Sequence, residues 1–131
     1  MKLLLDTHIW LWSFRDKARL SRRVARELAS PRNELWLSPM SIWETALLLE
    51  RGRLKVTGDP LRWLDQLLAA SLFREASFTR DVATRAAEVQ LPHRDPVDRL
   101  LVATALVHDL TLVTADQRLL DQTECPVLRE R

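Results

Sequence analysis

Acidic residues stand where short apolar runs end and where predicted helices begin, and these positions suit the binding of a cation. Asp6 and Asp116 each follow a short apolar stretch that is typical of a buried strand. Asp95 and Asp98 lie in the predicted first turn of one helix, and Glu44 lies in the second turn of another. Open α/β folds bind ligands at the carboxyl ends of their strands. These acids therefore predict a site at one edge of a parallel sheet.

A cluster of carboxylates is unfavourable unless a positive charge compensates it. Two like charges about 4 Å apart repel by about 1 kcal/mol in water-like surroundings and by about 4 kcal/mol at an effective dielectric of 20. A divalent cation reverses this penalty. The histidines His8, His93 and His108 show no spacing typical of metal ligands. Hard oxygen ligands therefore favour Mg²⁺ or Mn²⁺ over zinc.

Each acid also has a structural interpretation, which the sequence leaves open. Asp95 precedes a proline and suits a helix N-cap, and Asp98 suits the positive end of the helix dipole. Asp116 is able to cap the helix that follows it, whereas Glu44 resembles an ordinary surface glutamate. Asp6 differs because its flanks are apolar, so that its charge must be solvated, paired or bound to metal.

Helix and strand patterns alternate along the chain, which predicts an α/β fold with a parallel sheet covered on both faces. The predicted strands span residues 2–5, 34–37, 74–78, 110–113 and 126–128. The predicted helices span residues 21–29, 39–51, 61–72, 79–91, 96–107 and 116–121, and another helix or turn begins near residue 7. The helix at 96–107 is apolar on nearly every side and is expected to be central. The length of 131 residues favours a single domain, 1–131.

Composition excludes several classes of site. The only glycines are Gly52 and Gly58, so neither the dinucleotide-binding fingerprint nor the Walker loop is present. The single cysteine, Cys125, excludes an internal disulfide and paired-cysteine zinc sites. No apolar run approaches the roughly 20 residues of a membrane helix, so a cytoplasmic protein without membrane association is expected.

Two features suit a nucleic-acid substrate but have ordinary alternatives. Arginine supplies 17 of the 20 basic residues, and its planar fork matches phosphate oxygens. A GC-rich genome produces the same bias through codon choice. The five tryptophans are suited to stacking on bases, although all lie in apolar periodic segments typical of a core.

Four motifs closely resemble the PIN domain family and, within it, the VapC-type toxins of type II toxin-antitoxin systems. They lie in the order and spacing of that family, at residues 4–8, 41–44, 93–103 and 112–116. The resemblance implies a three-layer α/β/α fold with a mainly parallel central sheet. It also implies an endoribonuclease that depends on Mg²⁺ or Mn²⁺ and is inhibited by a cognate antitoxin.

The resemblance also assigns residues by position. The catalytic acids are Asp6, Glu44, Asp98 and Asp116, of which Asp6, Asp98 and Asp116 are the expected metal ligands. The supporting residues are Thr7, Thr114 and Asp95, the last as an N-cap or a second layer around the metal. Arginines that flank the acids either steer the RNA backbone or lie on an ordinary surface: Arg94, Arg99 and Arg118.

The expected partners are RNA, a cognate antitoxin and further copies of the chain in a homodimer or a toxin-antitoxin hetero-oligomer. The apolar stretch 9–12 and the helix at 61–72 are candidate surfaces for the antitoxin or the dimer.

Three alternative functions remain open at this level. The first is a catalytically silent PIN-like module that binds an antitoxin or RNA. The second is a haloacid-dehalogenase-type phosphatase, but His8 stands where that chemistry usually needs a second acid. The third is a DNA flap nuclease, for which no arch or clamp segment is present.

Overall fold

The computed structural model describes residues 1–130 and contains one five-stranded sheet in the order β3-β2-β1-β4-β5. All four strand pairs are parallel. The strands are β1 (Lys2–Leu5), β2 (Glu34–Leu37), β3 (Arg74–Glu75), β4 (Thr111–Thr114) and β5 (Val127–Arg129). The predicted parallel α/β fold is confirmed.

Strand β1 lies at the centre of the sheet, between β2 and β4. Leu3 pairs with Leu35 on one side and with Thr111 on the other. Residues 3–5 are fully buried because helices cover both faces, which explains why this strand is a continuous apolar run rather than an alternating one. The residue that follows, Asp6, is thereby carried to the middle of the carboxyl edge.

Seven α-helices and one 3₁₀ helix surround the sheet in the described part of the chain. They are α1 (Thr7–Arg15), the 3₁₀ helix (Lys17–Arg19), α2 (Arg22–Ala29), α3 (Pro39–Glu50), α4 (Pro60–Ala70), α5 (Arg80–Glu88), α6 (Pro96–His108) and α7 (Gln117–Leu120). Helices α5 and α6 pack on the face of Leu4 and Leu112. Helices α1 to α4 pack on the face of Leu3 and Leu5. The expected three layers are therefore present.

Local capping chemistry fixes the helix starts as the sequence indicated. Ser21, Ser38 and Thr79 each accept a backbone hydrogen bond from the first turn of α2, α3 and α5. Asp95 does the same for α6, accepting from the Val97 amide at 3.0 Å. Helix α6 buries the middle of its length, as expected for a central helix.

Several boundaries differ from the sequence predictions. Strand β3 has two residues instead of five, strand β4 lies one residue later, and helix α5 ends at Glu88. Strand pairing decides where β3 and β4 end, because pairing along the sheet stops where a neighbouring strand stops. The 3₁₀ helix was not predicted.

The apolar stretch at residues 9–12 is mainly core. Ile9 and Trp10 are fully buried and Leu11 is nearly so, which rules out these three as a docking surface for an antitoxin or a second copy. Trp12 alone of this stretch is half-buried. On helix α4, Leu61 remains exposed. None of the helices in the described residues is both long enough and apolar enough to span a membrane.

Candidate acidic active site

The predicted acids converge in one open cleft of about 490 Å³ at the carboxyl edge of the sheet. Asp6 follows strand β1, and Glu44 lies on helix α3. Asp95 and Asp98 lie at the start of helix α6, and Asp116 lies between strand β4 and helix α7. The acids in the cleft wall are Asp6, Glu44, Asp95, Asp98 and Asp116. The fold therefore brings together the whole acidic set, while its catalytic role stays a prediction.

Asp6 is held at the end of β1 by two hydrogen bonds. Its Oδ1 accepts from the Thr7 amide at 2.7 Å, so that Asp6 caps helix α1. Its Oδ2 accepts from the Thr114 hydroxyl, also at 2.7 Å. Burial raises the pKa of Asp6 above its ordinary value, and the two hydrogen bonds offset part of this shift. The two oxygens are thus held by the start of helix α1 and by the end of strand β4.

Glu44 is positioned by a hydroxyl pair between helices α1 and α3. The Thr7 hydroxyl donates to Glu44 Oε1 at 2.9 Å and lies 2.9 Å from the Ser41 hydroxyl. Burial raises the pKa of Glu44, and the negative charge of Asp6 adds to this effect. A surface glutamate would show neither the fixed partner nor the raised pKa, so Glu44 belongs to the cleft.

Asp98 is the most deeply buried acid of the cleft, with only 7% of its surface exposed. Its Oδ2 accepts no hydrogen bond, although His93 Nε2 lies 3.4 Å away. Burial, together with the negative charge of Asp95, raises the pKa of Asp98 to about 6. A buried carboxylate oxygen without a hydrogen-bond donor is unfavourable in a metal-free protein.

Thr114 connects the two acids that follow strands β1 and β4. Its hydroxyl donates to Asp6 and accepts from the Asp116 amide at 3.0 Å. Asp116 Oδ1 in turn accepts from the Arg118 amide at 3.0 Å and caps helix α7. The side chain of Thr114 is fully buried. The prediction of Thr114 as a supporting residue therefore has a clear geometric basis.

Arg118 places one positive nitrogen among three carboxylates. Its Nη2 lies 3.5 Å from Oδ2 of Asp95, of Asp98 and of Asp116. The hydrogen bond and charge of Asp116 raise the pKa of the guanidinium, so it stays protonated. The guanidinium therefore supplies the positive charge between the three carboxylate oxygens.

The chemistry of these donors fits Mg²⁺ or Mn²⁺, because all are hard carboxylate oxygens. Two observations support the fit: the Asp98 oxygen that lacks a donor, and the positive nitrogen at the centre of three acids. Within residues 1–130, however, no three Asp, Glu, His or Cys side chains are grouped closely enough to hold an ion as they stand. Asp6, Asp98 and Asp116 are the residues that would hold such an ion.

Of the three predicted arginines, only Arg118 lines the acidic cleft. Arg94 and Arg99 line a separate hollow beside His93 and Leu91. Arg99 also donates from Nη2 to the Ala87 carbonyl at 3.2 Å, which ties it to helix α5. The phosphate-steering role predicted for these two arginines would have to act from outside the cleft.

Four residues near the acids were not predicted for the site. His8 and Trp12 line the cleft, His93 approaches Asp98, and Ser41 contacts Thr7. His8 and Trp12 are four residues apart on α1, so they share the helix face next to Asp6. This spacing and the position of His8 beside Asp6 were the available signals, although capping or packing was the role expected of His8. The approach of His93 to Asp98 depends on the turn before α6, which no sequence pattern fixes.

Comparison with known proteins identifies the family. The PIN domain profile matches residues 3–124 of the chain. Ribonuclease VapC22 of Mycobacterium tuberculosis (strain ATCC 25618 / H37Rv) is 38% identical over 120 residues, covering 89% of this chain and 88% of its own.

Solved structures with the same fold are toxin-antitoxin complexes. VapBC2 from Rickettsia felis, bound to a DNA fragment from its promoter, superposes with a TM-score of 0.71 at 18% identity and covers 98% of both chains. FitAB bound to the IR36 DNA fragment gives a TM-score of 0.74 at 23% identity, covering 98% of this chain and 94% of its own. At these identities the superpositions establish the fold. The profile match and the VapC22 relative show that the chain belongs to the PIN domain family.

Proposed function

We propose that the protein is a Mg²⁺- or Mn²⁺-dependent endoribonuclease and the toxin of a type II toxin-antitoxin pair. The observation that carries the proposal is the convergence of Asp6, Glu44, Asp98 and Asp116 in one cleft, where Arg118 Nη2 lies 3.5 Å from both Asp98 and Asp116. Separately, a relative over nearly the whole chain is named a ribonuclease. RNA is therefore the substrate we assign to the cleft.

In this proposal Asp6, Asp98 and Asp116 hold the ion. When bound, the ion lowers the pKa of a water molecule and offsets the negative charge that develops on the phosphate. Thr114 keeps Asp6 and Asp116 aligned through its two hydrogen bonds. Asp98 presents an oxygen that accepts no hydrogen bond in the protein and has one cation near it, Arg118 Nη2 at 3.5 Å.

Glu44 has a different role from the three metal ligands. It lies across the cleft on α3, where Thr7 fixes one of its oxygens. Its raised pKa makes it a stronger base than an exposed glutamate, which suits orienting the attacking water or accepting its proton. Asp95 caps α6 and holds the start of that helix, with Asp98 three residues later. We assign Asp95 a supporting role on this basis.

An antitoxin is the partner we propose for the folded chain. Solved structures with the same fold are described as a toxin-antitoxin complex and as a member of the VapBC family of toxin-antitoxin systems. By analogy, we propose that this chain assembles with an antitoxin, as a homodimer or within a toxin-antitoxin hetero-oligomer. The analogy rests on fold and is tested separately, by co-purification of the chain with the product of a neighbouring gene.

The ribonuclease proposal is tested by incubating antitoxin-free protein with a mixed cellular RNA pool. Parallel reactions contain Mg²⁺, Mn²⁺ or EDTA, and D98N serves as the inactive control. Discrete fragments that require both the metal and Asp98 are the expected result. Intact RNA after incubation with folded, metal-bound protein would instead favour a silent module that binds RNA or antitoxin.

A further inference from the structure

One tryptophan of the five lies in the wall of the acidic cleft. Trp10 is fully buried, and Trp36 and Trp63 pack against the two hydrophobic cores. Trp43 is 54% exposed but is not part of the cleft wall. Trp12 is half-buried and lines the cleft together with the acids. A core role explains three of these side chains, but it does not explain why an indole borders a carboxylate cluster.

Trp12 is part of an aromatic and cationic wall on helix α1. The exposed ring of His8 lies one turn earlier, nearly parallel to the indole at 13°, with ring centroids 6.2 Å apart. The Arg19 guanidinium, from the 3₁₀ helix, lies 4.6 Å from the centroid of the indole. Trp12 also packs partly against the core beneath α1, which holds the ring in place. The wall therefore lies in the same cleft as the acids of the proposed phosphate site.

An indole ring beside a guanidinium, as in Trp12 and Arg19, is a combination that binds unpaired nucleobases. Every base has a π-face, so stacking on an aromatic ring tolerates any sequence, and arginine adds a cation-π contribution. A base within a duplex has both faces covered by its neighbours, so it is not available for such stacking. The wall therefore selects single strands or loops rather than helical RNA.

We propose that Trp12, together with His8 and Arg19, stacks the unpaired base next to the phosphate that is cleaved. The inference rests on the proposed ribonuclease function and adds the side chains that bind a base of the substrate. Trp12 is a specificity-determining residue in this arrangement. It contacts the base, while the acids of the same cleft act on the phosphate.

The test compares RNA that has bases with a backbone that has none. A fluorescein-labelled oligoribonucleotide of about ten nucleotides and an abasic ribose-phosphate chain of equal length carry the same charge. Anisotropy in EDTA measures the binding of both, and cleavage in Mg²⁺ is followed on the first. The proteins are wild type, W12L, W12F and the matched control W43L, each checked by its Tm.

Stacking predicts that wild type binds the oligonucleotide about 5- to 100-fold more tightly than the abasic chain. W12L should lose this preference while binding the abasic chain as wild type does. W12F should keep most of the preference because it retains an aromatic face, and W43L should match wild type. Wild type and W12L should bind a duplex form of the oligonucleotide equally, because its bases are not available for stacking.

Several results would overturn the inference. One is a wild type that binds both chains equally, and another is a W12L that keeps the full preference. If W12L binds RNA normally but no longer forms a complex with an antitoxin, Trp12 belongs to a protein interface instead. The proposed function fails separately: absence of cleavage with a base preference that depends on Trp12 leaves the stacking wall intact and removes the nuclease. Absence of both removes both.

Discussion

Charged side chains are exposed and paired at one end of the central sheet and buried at the other. Where β1 and β2 begin, the amino terminus of Met1 donates to Asn33 Oδ1 at 2.7 Å. Glu34 lies 3.5 Å from Arg74 Nε and accepts from Trp36 Nε1 at 3.2 Å. The Glu34 and Arg74 side chains are 42% and 64% exposed. Charges at this end are solvated and paired.

Where the strands end, the acids are buried and short of positive partners. Burial raises the pKa of Asp6, Glu44 and Asp98, and the Asp98 Oδ2 atom lacks a hydrogen-bond donor. Among the described residues that line the cleft, Arg118 is the one arginine or lysine, and its Nη2 lies 3.5 Å from three carboxylates. Such an arrangement lowers stability, which is the pattern of a functional site rather than a structural one. Burial of acids whose negative charge is only partly balanced by Arg118, rather than charge itself, therefore distinguishes the two ends.

Replacing one acid at each end should give the largest contrast. We expect D98N to lower RNA cleavage by at least about 1000-fold, because a metal ligand supplies several kcal/mol of transition-state stabilisation. The matched variant E34Q removes a carboxylate from the paired end and should stay within about twofold of wild type. Initial rates of cleavage at saturating Mg²⁺ measure both. Equal losses in the two variants would abolish the distinction between the ends.

The same pair of variants should differ in stability in the absence of metal. The pKa of Asp98 is raised from 3.8 to about 6, so the native state holds this proton more tightly than the unfolded state. The free energy of unfolding therefore falls as pH rises from about 4 to about 6. At 1.36 kcal/mol per pKa unit, ionised Asp98 costs about 3 kcal/mol at pH 7.

Urea denaturation in EDTA measures this cost directly. D98N should be more stable than wild type by about 3 kcal/mol at pH 7 and should show no such gain near pH 4. E34Q should follow wild type at both pH values. A D98N protein that is less stable than wild type at pH 7 would mean that Asp98 mainly stabilises the start of α6.

Thr114 should matter because it aligns two acids at once. We expect T114V to weaken metal binding or cleavage by about 10- to 100-fold, the usual effect of removing a group that orients metal ligands. Thr104 provides the control, since it is equally buried but donates to the Leu100 carbonyl within α6 at 2.7 Å. T104V should retain metal affinity when Mn²⁺ binding is measured by calorimetry. Similar losses in both would show that any buried hydroxyl has this effect.

Arg118 should give the smallest change, with the opposite sign. Its guanidinium competes with a cation for Asp95, Asp98 and Asp116. We expect R118Q to bind Mn²⁺ about two- to fivefold more tightly in the absence of RNA. R85Q, on the exposed surface of α5, controls for the change in net charge. Weaker binding of Mn²⁺ by R118Q would show that the arginine organises the acids instead of competing for them.

Local patterns were sufficient to predict most of the fold. The apolar run before Asp6 indicated a buried strand, and the Ser-Pro and Asp-Pro pairs indicated the starts of α3 and α6. These signals act over a few residues and depend on burial and capping. Strand ends were predicted less well, because β3 and β4 end where their neighbours do.

The site was predictable in membership but not in geometry. Asp95 and Asp98 have similar positions in the sequence, three residues apart, yet one is a half-exposed cap and the other a buried acid. Arg118 and Arg94 both flank acids, and only tertiary packing places Arg118 in the cleft. The apolar pattern of residues 9–12 did not separate Trp12, which lines the cleft, from its buried neighbour Trp10. Such distinctions arise from contacts between elements far apart in the chain.

The central claim is that the carboxyl end of the sheet binds a divalent cation, and thermal unfolding tests it most directly. Wild type, D98N and E34Q are unfolded at pH 7.5 in EDTA, Mg²⁺ and Mn²⁺. An ion at about 100 times its Kd should stabilise wild type and E34Q by about 2.7 kcal/mol and leave D98N nearly unchanged. A wild type that unfolds at the same temperature with and without metal, or a D98N that is stabilised equally, would contradict the account.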